Sequence, residues 1–384
     1  MKTVNKKELK LIDKASSEFA GKKLAKAIEA SGTEKFSPEY NDVVKKAYEL
    51  DFFHMTLPES AGGSDSGLRA LCRVLENISM EDSSLATIIL TTVSALDILI
   101  DSGNEPLVNE LINDKETTDD FLLAHPVFSN PVETSVDVKA EKNGTGFLLS
   151  GGLDYLVLAG LAKKALIPAK LENDSEFSYF LVELASPEIK LSEQVKALGI
   201  TACPVCDASF NKAKAQICCK PEDGKNFFEK INAKFSVALA AMQAGLMKGA
   251  LRDALSYAAN RQQGGRAILH WSEVKKVLSG MAINIQLTDM LVQQCCTAHE
   301  EKRKTFNADS AAAFLKICEM ACDVTSDGIR VMGGVGYMKD FDQEKRFRDA
   351  RHLMSVFGML QTKKLGFLEN HITKSAAFSI GEVA

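Results

Sequence analysis

Arg330-Val-Met-Gly333-Gly334-Val-Gly336-Tyr337, followed by Asp340, Glu344 and Arg346-Phe-Arg348-Asp349-Ala350-Arg351, is the stretch that decides the fold of this 384-residue chain. From Asn307 to about Met332, just upstream, the residues Ala311, Phe314, Leu315, Ile317, Ala321 and Val324 fall on one helical face. A glycine pair closing such a stripe reads as a helix C-cap. Arg348, Asp349 and Arg351 read as an ion-pair network that fixes the last helix turn rather than as a site.

Two further long helical runs precede this one, an Ala/Leu/Met-rich run from Ala238 to Asn260 and another from Trp271 to about Lys302. Joined by short loops, they predict a four-helix bundle over residues 226–384, with helices returning at Phe227. Between about Asp119 and Asp223 the pattern is different. Short alternating runs, such as Gly146-Phe-Leu-Leu-Ser, Phe177-Ser-Tyr-Phe-Leu-Val and Ala208-Ser-Phe, are separated by turn clusters at Lys142-Asn-Gly-Thr-Gly, Glu172-Asn-Asp-Ser and Pro221-Glu-Asp-Gly. These predict a compact, barrel-like β-domain over 116–225. Neither GxGxxG nor GxxxxGK[ST] is present, so a phosphate-cradling Rossmann or P-loop unit is not expected.

Residues 1–115 read as helical. Leu68, Leu71, Cys72, Val74, Leu75 and Ile78 form an amphipathic stripe, and Asp82-Ser83-Ser84 offers a cap for the next helix. Leu57-Pro-Glu-Ser-Ala-Gly-Gly-Ser between the first helices reads as a loop. The predicted class is α+β, in the order α, β, α.

A hydrophobic share of 46% is ordinary for a globular chain, and a formal charge of −5 gives no basic field for nucleic acid or anionic membrane. The charged N-terminus lacks the apolar core of a signal peptide. The longest apolar stretch, Leu85 to Leu96, stops at Asp97, short of the ~20 residues that span a bilayer. A soluble, cytoplasmic protein is expected, with nine reduced cysteines. Cys203-Pro-Val-Cys206 with Cys218-Cys219 suggests a zinc shell at first sight. The second pair is adjacent, so both of its sulfurs cannot easily face one ion, and small buried hydrophobes are the better reading. Cys318 and Cys322, at i and i+4, read as core.

The opening stretch resembles the acyl-CoA dehydrogenase signature, in which a helix closes on Gln-x-x-Gly-Gly-x-Gly-Tyr and continues to Arg-Asp-Ala. Leu57-Pro-Glu-x-x-Gly62-Gly63, Glu76-x-Ile-Ser-x-x-Asp82-x-Ser84-Leu-Ala and Leu198-Gly199-Ile-Thr-Ala-Cys-Pro204 look like further landmarks of that family. The resemblance implies FAD as cofactor, an acyl-CoA substrate desaturated between Cα and Cβ, and a tetramer of like or unlike subunits. It also implies an electron-transfer flavoprotein as electron acceptor if the chain is active. The chemistry needs a carboxylate to take the α-proton.

In the family that carboxylate belongs to a Tyr-Glu-Gly-Thr stretch, or in some members to the first bundle helix. Here the two positions hold Phe357, in Val356-Phe357-Gly358-Met359, and about Phe235. The flavin-contacting Thr-Glu-Pro-Gly-Ala-Gly-Ser-Asp is replaced by Ala124-His125-Pro126-Val-Phe-Ser129-Asn130. The aromatic-Ile-Thr-Asn strand is replaced by Leu156-Val157-Leu158-Ala159. Family contacts given to a neighbour's FAD persist at Arg261, Arg330 (for Gln), Gly333 and Gly334. The expectation is a catalytically degenerate subunit that completes a partner's FAD site. An active flavoenzyme with a relocated base and a non-enzymatic acyl-CoA-binding or scaffold protein are the alternatives. For a relocated base the candidates are His125, which reads first as a structural histidine beside a proline, and more remotely Glu133 and Glu273.

Overall fold

The computed structural model describes residues 4–32, 35–104, 107–108, 111, 121–171 and 176–372. The expected domain boundary at 115/116 and the expected turn at Glu172-Asn-Asp-Ser lie outside the described residues. Helix α1 (Lys6–Phe19) opens with a capping box between Asn5 and Glu8 and runs through a π-helical turn at Ala20–Leu24 into α2 (Ala25–Ser31). Helix α3 (Pro38–Glu49) starts with Ser37 as cap and proline in its first turn. The stripe read from Leu68 to Ile78 forms α4 (Gly67–Ser79), and Asp82 caps α5 (Ser83–Asp101) by accepting from the Ser84 amide. Helix α5 outruns the apolar stretch seen in the sequence. It has 19 residues, long and apolar enough to cross a membrane, but 89% of its apolar window is buried inside the protein, as in a central core helix.

The middle domain is a barrel. Strands β2 (Lys139–Asn143), β3 (Gly146–Val157), β4 (Lys164–Leu171), β5 (Phe177–Glu183) and β7 (Val205–Ile217) close in the order β4-β2-β3-β7-β5 and back to β4. The short β1 (Leu123–Ala124) adds to β4, and β6 (Ile189–Leu191) adds to β7. Closure removes most free edges. Strands β3 and β7, of 12 and 13 residues, are longer than the alternating runs suggested, because bulges between Leu149 and Ser150 and between Leu153 and Leu156 interrupt their period.

Pro221-Glu-Asp-Gly is not a turn. It is the first turn of α6 (Pro221–Asn260), a 40-residue helix whose proline sits where its missing N–H costs nothing. Helices α7 (Ser272–Glu300) and α8 (Phe306–Met332) follow, then α9 (Gln343–Leu353) and α10 (Leu360–Phe367). From Phe235 to Met247 every residue of α6 is buried, because it lies between α4, β5, α7 and α8. Gly245 and Gly249 let α4 come close. A Cβ at Gly245 would lie 2.2 Å from the Glu76 carbonyl oxygen, and one at Gly249 2.6 Å from that of Met80.

A buried polar junction joins all three domains at α9. Lys345 Nζ lies 2.6 Å from Asp82 Oδ1 and 2.5 Å from Asp349 Oδ2, and the Tyr40 hydroxyl donates to Asp82. Asp349 also accepts the Ile200 amide at 2.7 Å, and Arg348 pairs with Glu344 while donating to the Leu198 carbonyl. Gly199 fits between because a Cβ there would lie 2.7 Å from the Arg348 carbonyl. Burial disfavours the Asp82 carboxylate, but Lys345 and Tyr40 outweigh it and hold its pKa below the usual range. The charges in Arg348 and Asp349 thus do more than fix one helix turn, since they stitch the barrel to the bundle. Arg351 is exposed and takes no part in this.

Candidate active-site cleft

The three segments that the sequence singled out around the expected flavin site come together. A cleft of about 530 Å³ is walled by the loop after β1, the bulged end of β3 and the segment between α9 and α10; Phe128, Asn130, Glu133, Asp154, Tyr155 and Met359 line it. The loop is anchored by the His125 amide on the Val157 carbonyl at 3.2 Å, and by Asn130 Oδ1, which accepts the amides of Val132 and Glu133. The opposite wall is pinned directly to it. The Phe357 amide donates to the Val127 carbonyl at 2.6 Å, with Phe357 in the left-handed region at φ 58°.

Both expected base positions point into one packed aromatic cluster. Phe357 and Phe235 are 0% exposed, their ring centroids are 6.4 Å apart, and Phe228 stands 6.3 Å from Phe357. A phenyl ring accepts no proton. Leu156, Val157 and Leu158 are also fully buried and carry no hydroxyl or amide side chain.

His125 does not line the cleft. It is 3% exposed, with Nδ1 3.0 Å from the Leu166 carbonyl oxygen and its ring 6.0 Å from that of Tyr179. Burial pushes its pKa down to about 4, so it is neutral at physiological pH and serves the barrel interior. Glu133 does line the cleft, where a Cβ built on Gly358 would lie 3.1 Å from its Oε2. Burial raises its pKa and the Lys363 ammonium opposes that rise. Lys363, which no motif marked, donates to the Val356 carbonyl at 2.6 Å and lies 4.6 Å from the Phe314 ring centroid; burial pushes it down to about 8. Glu273 lies elsewhere, in a second cleft between α7 and α8.

That second cleft marks the end of the bundle where the other expected site residues gather. Helices α6 and α8 both finish there and α7 begins there. Arg261 follows the last residue of α6 and is exposed. Arg330 lines the cleft and pairs with Asp327 at 3.0 Å. Gly333 caps α8 at φ 63°, and a Cβ on Gly333 or Gly334 would meet nothing within 4 Å, so this backbone is open to approach. Beside Arg261 the turn Gly264-Gly265 joins β8 (Gln262–Gln263) to β9 (Arg266–Ala267). The Arg266 guanidinium stacks 3.8 Å above Trp271, whose indole donates to the Gln263 carbonyl at 3.2 Å. No sequence motif marks this stack, because the two residues meet only once the hairpin folds.

The cysteines do not gather as a zinc shell would require. Among the described residues no group of three or more His, Cys, Asp or Glu side chains could hold a metal. Cys318 packs against Gln243, and Cys322 lies 3.4 Å from the Met354 sulfur.

Comparison with known proteins accords with this architecture. The profile of the acyl-CoA dehydrogenase N-terminal domain matches residues 6–113, and that of the acyl-CoA dehydrogenase C-terminal domain matches residues 233–364. Benzylmalonyl-CoA dehydrogenase of Aromatoleum aromaticum is 25% identical over 325 residues, covering 83% of this chain and 86% of the relative. The caffeyl-CoA reductase-Etf complex subunit CarC of Acetobacterium woodii is 25% identical over 383 residues, covering 93% and 96%. Butyryl-CoA dehydrogenase from Megasphaera elsdenii has the same fold, with a TM-score of 0.86 at 20% identity over 95% of this chain and 98% of that one. The chain belongs to the acyl-CoA dehydrogenase family.

Proposed function

We propose that this chain is a catalytically degenerate acyl-CoA dehydrogenase-family subunit, which completes the FAD site of a related catalytic subunit in a hetero-oligomer. The observation that carries the reading is the pair of buried rings at Phe357 and Phe235, where the reaction needs a carboxylate. Bound FAD would supply the hydride acceptor, and the reaction would also need a protein carboxylate to take the α-proton.

The chain's own cleft suits FAD poorly. Its two walls are joined by the Phe357–Val127 hydrogen bond, which narrows the space for a planar ring system. Leu156, Val157 and Leu158 offer the flavin ring no side-chain hydrogen bond. Glu133, Asp137 and Asp154 line the cleft, and a pyrophosphate would meet their charges. The far end of the bundle suits FAD better. Exposed guanidinium groups at Arg261 and Arg330 can donate to pyrophosphate oxygens, and the open Gly333-Gly334 backbone can lie close to them. Contacts made for a neighbour remain, while those a subunit uses itself are gone. Relatives named for benzylmalonyl-CoA and caffeyl-CoA support an acyl-CoA thioester as the assembly's substrate. The Etf complex in the second name supports an electron-transfer flavoprotein as the catalytic partner's acceptor.

The test is an anaerobic titration of the purified chain, mixed with excess FAD, by acyl-CoA thioesters. The expected result is no flavin bleaching, and bleaching overturns the reading. A second reading, an active enzyme with a relocated base, is favoured by Glu133, the carboxylate standing beside Gly358. Under that reading bleaching occurs and Glu133→Gln abolishes it.

A further inference from the structure

We propose that Cys72 and Cys296 form a dithiol site that hydrogen peroxide converts to a disulfide, stapling the N-terminal helical domain to the C-terminal bundle. The two sulfurs, one on α4 and one on α7, lie 4.0 Å apart although 224 positions separate them in the chain. Both residues are buried, at 3% and 1% exposure. A disulfide requires the sulfurs to close to about 2.0 Å, so the two side chains must rotate towards each other.

What makes this a site is the pocket above it. Cys72 and Cys296 form part of the lining of a pocket of about 90 Å³, together with Arg69, Arg73, Glu76 and Asp289. A cavity needs about 10–15 Å³ of such volume to hold a water, so the pocket has room for a molecule the size of peroxide, while the two buried sulfurs present almost no surface to a reagent as large as glutathione disulfide. The guanidiniums are fixed. Arg69 is held by Glu300 at 2.7 Å and by the Thr297 hydroxyl at 2.9 Å, and Arg73 by Glu76 at 3.0 Å. Positive charge beside a thiol favours the thiolate that attacks peroxide, and here Glu300 and Glu76 balance the two guanidiniums, so that help is small. The contact with Cys296 and burial raise the Cys72 pKa well above the ordinary thiol value, so the reaction is slow and needs sustained exposure.

The chemistry closes without any other reagent. One thiolate attacks a peroxide oxygen, the O–O bond breaks, and the departing hydroxide takes a proton to become water, leaving a sulfenic acid. The second sulfur then attacks that sulfur, the S–O bond breaks and a second water leaves. Two thiols and one peroxide give one disulfide and two waters. Cys295, next to Cys296, does not line the pocket, which makes the pairing selective.

Incubation of the full chain with hydrogen peroxide, followed by alkylation and digestion without reduction, tests this. The expected result is a peptide pair joined through Cys72 and Cys296. It should accompany a reductant-reversible, faster band on a non-reducing gel that is lost in Cys296→Ser. Glutathione disulfide should give neither. A Cys72–Cys295 bridge, sulfinic acids without the joined peptide, or equal cross-linking by glutathione disulfide overturns the proposal. The wild-type peptide map decides the matter even if the serine variant fails to fold.

Discussion

Phe357 places a buried phenyl ring at the expected base position. Its ring fills the space between Phe235 and Phe228, so it contributes packing where a carboxylate would contribute chemistry. Phe357→Ala should cost roughly 3–5 kcal/mol in urea unfolding. Phe357→Glu should destabilise as well, through an unpaired buried carboxyl whose pKa is raised. That variant's stability should therefore be best in mild acid and fall as pH rises through the folded-state pKa. His125 works in the opposite sense. Its folded pKa is about 4 against an ordinary 6.5, so the folded state binds fewer protons and stability falls as pH drops from 6.5 towards 4. The contribution is about 3 kcal/mol, and unfolding curves of His125→Gln across that window should show a shallower fall. The phenylalanine at the expected base position was legible, since it follows from counting along a motif. The burial of His125 was not, because sequence does not say which wall of a barrel a residue beside a proline faces. Lys363 and the Arg266–Trp271 stack carry no motif and depend on tertiary placement alone.

Among the elements, α9 has the most consequences. Its Lys345 joins Asp82 at the start of α5 to Asp349, which in turn holds the barrel at Ile200. Lys345→Met should cost about 3–5 kcal/mol, because two carboxylates would stay buried without their cation. The depressed pKa of Asp82 implies stability that is present above the unfolded carboxyl's pKa and lost as pH falls through the folded one. Acid titration of Asp82→Asn should lack that component. The long bundle helices were legible from their period and the glycine stop at Gly333. The misreading of Pro221-Glu-Asp-Gly arose because proline and glycine mark both turns and first helical turns, and only the packing of α6 against the barrel decides between them. Bulges hid the true length of β3 and β7, because an extra residue flips the alternation on which strand reading depends.

At the scale of the whole molecule, the chain keeps the family's frame. One helical end exposes Arg261, Arg330 and the Gly333-Gly334 backbone, while the cleft inside is pinned by the Phe357–Val127 hydrogen bond. If that end serves a neighbour's cofactor, Arg261→Ala should lower the FAD affinity of the assembled complex about tenfold or more, consistent with losing one charge-assisted hydrogen bond. Stability of this chain should stay unchanged, as checked by thermal unfolding. The most direct measurement is the flavin content of the chain purified alone and after co-expression with a base-bearing member of the family. The account predicts a colourless protein alone, and a complex with fewer flavins than chains in which added acyl-CoA bleaches the flavin. A yellow chain on its own, with one FAD per subunit reduced by acyl-CoA, would contradict it.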